Sequence, residues 1–405
     1  MNESSKKLAR RATVAIVGTA VISMLSACGS SLNAEGGSGQ GSSDGKDGNS
    51  VTVGLSVPQS GVYAQLGEDM TQGFKLYLEE HDNQLGGYEV KVVTADEGEG
   101  PQVGVAATER LITQGQADVV VGIVNSATAL GLRDTFVQAE VPLVIANAGA
   151  NKITADPSPY IWRASHHNSG VSGALGQHVA EQVGTGSVYL IAADYAAGKE
   201  HTEGFRKAYE AAGGTVAGET LTPFGTTNDW QPYLSEIRNS GASAVFAFYG
   251  GSEAANFVKQ YDTFGLAEEI QLYGSGFLVE GDVLNAQGDS ALGIQTSLNY
   301  SDMIDSEHNR AFIEAYESAY GESPTVYSVQ AYDAVAAIDA ALKSVETVNG
   351  VEIAKALSNV GDFETSPRGK WSFDENHDPD QLHYLREVQK VDGELKNVVV
   401  RELEG

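Results

Sequence analysis

The chain has 405 residues, and its 54 acidic side chains outnumber its 25 basic ones, giving a formal net charge of −29. This charge argues against nucleic acid and anionic bilayer surfaces as partners, because proteins that bind them rely on clustered Lys and Arg. The length predicts about two or three domain-sized cores, and a hydrophobic content of 41% is enough to fill them. Cys28 is the single cysteine, so no intramolecular disulfide and no cysteine-based zinc cluster can form.

Residues 1–27 are predicted to be a signal peptide for export. Four basic residues precede an apolar run at 12–25, which is too short for a comfortable membrane span. The segment Leu25-Ser26-Ala27-Cys28 resembles the lipobox of bacterial lipoproteins, which implies cleavage before Cys28 and acylation of its thiol. The alternative is an ordinary signal peptide with an incidental cysteine.

Residues 28–50 are predicted to be a disordered tether. They are almost wholly Gly, Ser, Asn, Asp and other polar residues, and such a composition buries too little apolar area to offset the entropy of ordering. The folded part would therefore begin near Val51.

From Val51 onward, short apolar runs alternate with amphipathic helical patterns, which indicates βαβ units with parallel sheets. A first series runs to PLVIAN, and a second begins near Trp162 and runs to IQLYGSG. Two doubly wound α/β lobes are predicted, and helices after the second series would return to the first and create a hinge. The predicted lobes are 51–164 plus 295–362 and 165–294 plus 363–405.

No motif for catalysis is found, since the hydrolase elbow, the phosphate-binding loop and the zinc-protease motif are all absent from the sequence. The pair His166-His167 is a poor metal site, because neighbouring side chains point in different directions. The segment 374–380 begins like a calcium loop, but Pro379 replaces the required glycine and Leu385 the final acid, which favours a solvated turn. We predict a protein that is not an enzyme, with no cofactor and no metal.

Small polar and aromatic residues follow several predicted strands, where open α/β sheets bind ligands. Ser126 could cap a helix or hold a carboxylate, and the unbulky segment 147–150 could admit a ligand to the backbone or form a tight turn. Tyr195 and Tyr249 could stack on an apolar ligand or belong to the core.

Six segments together resemble the type I periplasmic-binding-protein superfamily, specifically the solute-binding proteins of ABC importers for branched-chain and related amino acids. The resemblance covers residues 51–391, and its markers are VGLSVPQSGVYAQLG, VVVGIVNSATALG, VPLVIANAGA, YLIAADYAAGKEHTEGF, AVFAFYGGSEAANFVKQY and PTVYSVQAYDAV. It implies two lobes linked by three crossovers, which close on a ligand and deliver it to ABC permease subunits.

The resemblance also implies which residues contact the ligand. In the family's amino-acid binders a glutamate pairs with the α-ammonium group, and this chain has Gly276 at that position. Burying an ammonium group without a carboxylate costs several kcal/mol, so the chain is more similar to the subgroup that binds aromatic carboxylates. Gly276 beside Phe277 would leave space for a flat ring. The full set of predicted ligand contacts is Gln65, Ser126, Asn147, Ala148, Gly149, Ala150, Tyr195, Tyr249, Gly276 and Phe277.

The predicted protein is an exported receptor anchored through Cys28 to the outer face of the bacterial cytoplasmic membrane. It would capture a small hydrophobic or aromatic carboxylate and touch the membrane only through its lipid. A branched-chain amino acid is the alternative ligand. An extracellular enzyme and a sensory module are the rival classes of protein.

Overall fold

The computed structural model describes residues 49–403, which form two α/β lobes. The predicted signal peptide, Cys28 and most of the predicted tether lie outside the described residues. Within residues 49–403, no helix is long and apolar enough to cross a membrane.

The sheet of lobe 1 is built from short aliphatic runs that are buried on both faces. For example, every residue of the strand Val119–Gly122 is buried, as expected for a parallel strand covered by helices on each side. The strands are β1 (Ser50–Val57), β2 (Gln84–Leu85), β3 (Tyr88–Asp96), β4 (Val119–Gly122), β5 (Leu143–Ile145) and β6 (Ile161–Arg163). Their order is β2-β3-β1-β4-β5-β6, and only the β2–β3 pair is antiparallel.

The helices of lobe 1 come from two separate parts of the chain. They are α1 (Ala64–Glu80), α2 (Pro101–Thr113) and α3 (Ser126–Ala139), then α9 (Glu307–Tyr320), α10 (Val326–Leu342) and α11 (Gly350–Leu357). Helix α10 is the central one, since most of its surface is buried and it packs along α1. A reciprocal capping box between Thr325 and Ser328 satisfies backbone groups at its start.

Lobe 2 contains a longer sheet with an antiparallel extension. Its strands are β7 (Ser187–Ala193), β8 (Thr215–Thr222), β9 (Ala244–Phe248), β10 (Gln271–Ser275), β11 (Gln295–Leu298), β14 (His383–Val391) and β15 (Glu394–Leu403). Their order is β15-β14-β11-β10-β9-β7-β8. Its helices are α4 (Asn168–Val183), α5 (Ala196–Ala211), α6 (Gln231–Ser240), α7 (Gly251–Thr263) and α8 (Asp282–Gln287).

Three chain segments connect the lobes, so the predicted two-lobed α/β fold with a hinge of three crossovers is confirmed. The first segment follows β6, the second follows β11, and the third leads from α11 to β14. The third contains a small hairpin of β12 (Trp371–Phe373) and β13 (Pro379–Gln381).

The strand pairing differs from the predicted lobe boundaries in two places. Residues 295–298, assigned by the sequence to lobe 1, form β11 and pair with β10 and β14 of lobe 2. The β12–β13 hairpin, assigned to lobe 2, packs beside β6, where the ring of Phe373 lies 5.0 Å from that of Trp162. Both differences have one cause, since strand pairing over long sequence distances leaves no trace in local periodicity.

The sheet of lobe 2 contains one more strand than the sequence analysis predicts. Strand β15 continues it to Leu403, and the two-residue turn Asp392-Gly393, with both φ angles positive, joins β14 to β15. An Asp-Gly pair between extended segments is a strong hairpin signal, so this strand was predictable.

Candidate ligand-binding site

A cavity lies between the lobes, at the carboxyl ends of the parallel strands. The space between its atoms, part of which is open to solvent, amounts to about 350 Å³. Its walls are aromatic rings, short polar side chains and glycine. The lining residues are Tyr63, Leu66, Val124, Ser126, Asn147, Gly149, His166, Asn168, Tyr195, Ala197, His201, Phe248, Gly250, Phe277 and Tyr327.

Helices α1, α3, α4, α5, α7 and α10 all begin at this cavity, because each contributes a lining residue from its N-cap or first turn. The N-terminus of a helix carries unpaired N–H groups and a partial positive charge. The cavity therefore has a positive electrostatic bias without a charged side chain, which favours an anionic group.

The side chains that line the cavity are neutral. Among the lining residues within 49–403, none is Asp, Glu, Lys or Arg. Burial lowers the pKa of both His166 and His201 well below the ordinary histidine value, so both imidazoles are uncharged at neutral pH. An ammonium group entering this cavity would find no carboxylate in contact with it.

Lobe 1 presents Ser126 at the first position of α3 with its hydroxyl available. The cap of this helix is the preceding residue, Asn125, whose Oδ1 accepts hydrogen bonds from the N–H groups of Ala127 (2.8 Å) and Thr128 (3.3 Å). Ser126 is buried, with 2% of its surface exposed, and its hydroxyl does not cap the helix.

The loop before α3 is fixed by a buried carboxylate. The oxygens of Glu97 accept hydrogen bonds from the N–H groups of Val124 (2.7 Å) and Asn125 (2.8 Å). Burial raises the pKa of Glu97 to about 7, and these two backbone hydrogen bonds oppose the rise. Glu97 therefore shapes the loop from behind and does not face the cavity.

Close packing explains the glycine at position 149. A Cβ atom there would lie 2.2 Å from Asn168 Oδ1 and 2.5 Å from His166 Nε2, far inside van der Waals contact. Glycine lets the loop after β5 approach these two side chains, which a larger residue would force to move. Both lie where the first crossover enters α4.

Lobe 2 presents an aromatic wall. The imidazole of His201 stacks on Phe248 with ring centroids 3.9 Å apart, and Phe277 lies across their edge at 6.0 Å from His201. Phe277 also lies 4.7 Å from His166. This wall fits a flat apolar group, since aromatic rings prefer offset-stacked or edge-to-face contact.

Polar contacts hold the lobes together on both sides of the cavity. The hydroxyl oxygens of Tyr63 in lobe 1 and Tyr195 in lobe 2 are 2.7 Å apart. On α5, Glu200 Oε2 accepts hydrogen bonds from Asn151 N–H of lobe 1 (2.8 Å) and Asn168 Nδ2 (3.0 Å). The structure thus has the lobes in contact beside the cavity.

Comparison with known proteins agrees with this architecture. The family model for periplasmic binding proteins matches residues 50–394. This chain belongs to the periplasmic binding protein family. It is a solute-binding protein of the ABC transporter type, and the family consists of binding proteins and not of enzymes.

Relatives within the family carry two kinds of ligand name. The Leu/Ile/Val-binding protein homolog 6 of Brucella melitensis is 34% identical over 350 residues, covering 84% of this chain and 88% of the relative. A solute-binding protein from R. palustris, solved with benzoate, is 33% identical with a TM-score of 0.80, covering 88% of this chain and 97% of that one. Another from Rhodopseudomonas palustris BisB5, solved with 3,4-dihydroxybenzoic acid, is 31% identical with a TM-score of 0.82, covering 88% and 98%.

Five of the residues predicted from the sequence line the cavity of this binding protein: Ser126, Asn147, Gly149, Tyr195 and Phe277. The structure brings them together from four strand ends of two lobes. Their roles toward a ligand stay predictions.

The other predicted residues from lobe 1 lie outside the lining. Ala148 and Ala150 belong to the core between α3 and the sheet, and the carbonyl of Ala150 accepts a hydrogen bond from buried Arg163. The side chain of Gln65 donates to Asp69 Oδ1 at 3.4 Å. These residues support the binding loops and do not form the cavity surface.

Tyr249, predicted as a ligand contact with the core as the alternative, lies in the core and not in the cavity lining. Its ring packs against Trp230 and Phe257 in the core of lobe 2, at 4.8 and 5.0 Å between centroids, and its hydroxyl lies 3.1 Å from Thr222 Oγ1. Side chains alternate across a strand, so Phe248 faces the cavity and Tyr249 faces away.

The space at Gly276 is filled by protein, which overturns its predicted use for a flat ring. A Cβ atom at this position would lie 2.4 Å from Arg386 Nη2 and 2.5 Å from Leu298 Cβ. Arg386 is fully buried, donates to the Gly276 carbonyl (3.1 Å) and forms an ion pair with Glu280 (2.8 Å). Glycine here accommodates a buried guanidinium and not a ligand.

Several residues that line the cavity were not predicted from the sequence. Phe248 could have been found from strand alternation. His201 lies inside the regular pattern of α5, and Tyr327 belongs to a helix more than 120 positions further along the chain. No local signal marks these two, because only the packing of the lobes turns them toward one cavity.

The three crossovers meet at a single carbonyl oxygen. The carbonyl of Ser165 accepts hydrogen bonds from Asn299 Nδ2 (3.2 Å), Arg368 Nη1 (3.0 Å) and Gln381 Nε2 (2.9 Å). Ser165 belongs to the first crossover, Asn299 to the second, and the other two residues to the third. A buried ion pair between Arg368 and Asp333 ties this junction to α10.

A polar chain joins this hinge junction to the cavity. Gln330 on α10 donates from Nε2 to Asn299 Oδ1 (3.2 Å) and accepts at Oε1 from Asn147 Nδ2 (3.1 Å). The assignment of amide oxygen and nitrogen follows from this network. A lining residue and the hinge therefore share one hydrogen-bonded set of side chains.

The predicted turn at 374–380 comprises the loop of the β12–β13 hairpin, residues 374–378, and the first two residues of β13. Its Asp378 accepts hydrogen bonds from Arg163 Nε (2.6 Å) and Thr154 Oγ1 (2.7 Å), so this carboxylate is used in an ion pair. Within residues 49–403, no group of three or more His, Cys, Asp or Glu side chains could hold a metal ion.

Proposed function

We propose that this solute-binding protein captures a small aromatic carboxylate between its lobes and delivers it to an ABC permease. The observation that carries the proposal is a neutral, largely aromatic cavity toward which helix N-termini converge. The carboxylate is placed at the lobe 1 face, beside Ser126, Asn147 and Gly149, and the ring is placed against Phe248 and Phe277.

The uncharged lining favours this ligand over an α-amino acid. A carboxylate is stabilised by N–H and hydroxyl donors and by the positive ends of helices. A buried ammonium group needs an anionic partner, and its desolvation otherwise costs several kcal/mol. Among residues 49–403, the nearby Glu97 and Glu200 are already bound to backbone N–H groups and do not line the cavity.

A branched-chain amino acid remains the second candidate, because curated relatives of this chain bear Leu/Ile/Val-binding names. The amino acid carries an ammonium group that the protein must accommodate, and the aromatic carboxylate does not.

A thermal-shift panel separates these candidates. A ligand at a hundred times its dissociation constant adds about 2.7 kcal/mol to the free energy of unfolding, so a true ligand raises the melting temperature visibly. We expect benzoate or a hydroxybenzoate to do so and leucine, isoleucine and valine to leave it unchanged. Stabilisation by the amino acids alone would assign the alternative.

We also propose that the protein is exported and held to the outer face of the cytoplasmic membrane by a lipid on Cys28. The support is the lipobox-like segment that precedes this cysteine. Cys28→Ser should move the protein from the membrane fraction to the soluble fraction, and membrane retention of the variant would refute the anchor.

A further inference from the structure

Two buried polar atoms at the cavity have no partner. Within residues 49–403, neither His201 Nε2 nor the hydroxyl of Tyr327 forms a hydrogen bond. Their residues are 0% and 1% exposed, and both line the cavity. Buried polar groups in folded proteins are almost always paired. Other buried atoms within residues 49–403 also lack a partner, but these two belong to residues that line the cavity, so they point to a ligand that supplies the missing partners.

The surroundings of His201 determine what its Nε2 offers. Its Nδ1 lies 2.6 Å from Ser172 Oγ, and within residues 49–403 this is the hydrogen bond recorded for the buried Ser172 hydroxyl. If the hydroxyl donates to Nδ1, both groups are satisfied and the imidazole proton resides on Nε2. The opposite arrangement would leave the hydroxyl proton unpaired. His201 therefore directs a neutral N–H donor into the cavity.

Tyr327 offers a hydroxyl that can donate or accept. Burial raises the pKa of Tyr327 well above the ordinary tyrosine value, so the group stays protonated. Its ring lies 6.0 Å from the ring of Phe277, the same centroid separation that His201 has from Phe277. The two polar atoms thus belong to residues that flank the same ring, one from each lobe.

An unsubstituted aromatic acid whose carboxylate lies on the lobe 1 loops, as proposed above, would satisfy neither atom. Its ring would lie beside His201 and Tyr327 and offer no hydrogen-bond partner to either. A hydroxyl group on the ring would supply the missing partners. Its oxygen can accept a hydrogen bond from the His201 N–H, and it can donate to or accept from the Tyr327 hydroxyl.

We propose that His201 and Tyr327 are specificity-determining residues that select aromatic carboxylates bearing a ring hydroxyl over unsubstituted ones. This inference rests on the proposed function. Ser172 has a positioning role, since it fixes the tautomer of His201.

Titration calorimetry with benzoate, 3-hydroxybenzoate, 4-hydroxybenzoate and 3,4-dihydroxybenzoate tests the inference. The wild-type protein should bind at least one hydroxylated probe about 10- to 100-fold more tightly than benzoate, as expected where a site's polar groups are left unpaired by the lesser ligand. Equal affinity for benzoate and every hydroxylated probe would overturn the inference and leave the proposed function intact. Binding of none of the four would overturn the proposed function itself.

Tyr327→Phe removes one oxygen and should weaken binding of the best hydroxylated probe about tenfold more than it weakens binding of benzoate. Tyr249→Phe is the matched control, because its hydroxyl is buried outside the cavity, and it should keep the full preference. Equal weakening of both probes by Tyr327→Phe would contradict a selective role.

Ser172→Ala provides a second, independent variant. It frees Nδ1 of His201 to carry the proton, so the preference for the hydroxylated probe should fall while benzoate binding is kept. An unchanged preference in both Ser172→Ala and Tyr327→Phe would overturn the assignment of these residues.

Discussion

The two lobes present contrasting faces to one cavity. Lobe 1 contributes Ser126, Asn147 and Gly149 from the starts of loops and helices, whereas the rings of His201, Phe248 and Phe277 pack together on lobe 2. The proposed aromatic acid would contact both sets of residues, so its binding would be linked to closure about the hinge.

The lobes also stabilise their buried carboxylates differently near the start of α10. In lobe 1, Asp69 accepts hydrogen bonds from Thr325 Oγ1 and Gln65, and burial raises its pKa to about 7. In lobe 2, Glu280 pairs with Arg386 and accepts from Val326 N–H (2.8 Å). The Arg386–Glu280 pair adjoins the aromatic wall, because Arg386 also donates to the carbonyl of Gly276, the residue before Phe277.

The largest expected effect comes from breaking that ion pair. Arg386→Met should lower the free energy of unfolding by about 3–5 kcal/mol, because Glu280 is left buried without its partner. Urea denaturation measures the loss. Arg238→Met is the control, since its pair with Glu269 is solvent-exposed and should contribute about 1 kcal/mol or less. Similar losses in the two variants would show that the buried pair has no special importance to lobe 2.

A smaller effect should follow from removing one ring of the aromatic wall. Phe248→Ala should weaken binding of the tightest aromatic acid by about 2–3 kcal/mol, as aromatic truncations at the centre of binding sites do. Calorimetry gives the affinity, and near-ultraviolet circular dichroism confirms that the variant is folded.

Ser126→Ala changes the lobe 1 side of the cavity and should weaken binding of every carboxylate probe by about 1.5 kcal/mol. The assignment of faces would be wrong if the serine variant lost more affinity than the phenylalanine variant.

The smallest effect concerns the contact between the faces. Tyr63→Phe removes the hydroxyl that meets Tyr195 at 2.7 Å but keeps the ring, and should weaken binding by about 1 kcal/mol. Stopped-flow fluorescence should show the change as faster ligand release, because the contact exists only between closed lobes. Tyr320→Phe loses a hydroxyl that bonds within lobe 1, to the Gln72 carbonyl, and should release ligand at the wild-type rate. Equal rates of ligand release in the two variants would show that the Tyr63 hydroxyl does not stabilise the closed lobes.

Residues close to a strand end were predictable, and residues that depend on side-chain direction were only partly so. Ser126, Asn147, Gly149 and Tyr195 were found because polar or small residues follow buried strands. Tyr249 lies in the core and Phe248 lines the cavity, because neighbouring side chains at the end of β9 point to opposite faces of the sheet.

The sequence by itself determined the α/β class, the two series of strands and the loops that contain the site. Strands that are buried on both faces consist of continuous apolar runs, and such runs can be recognised in the sequence. Tertiary structure alone decided that β11 belongs to lobe 2, that Arg386 fills the space beside Gly276, and that His201 and Tyr327 reach one cavity. Those outcomes depend on contacts between residues far apart in the chain, and local periodicity contains no information about them.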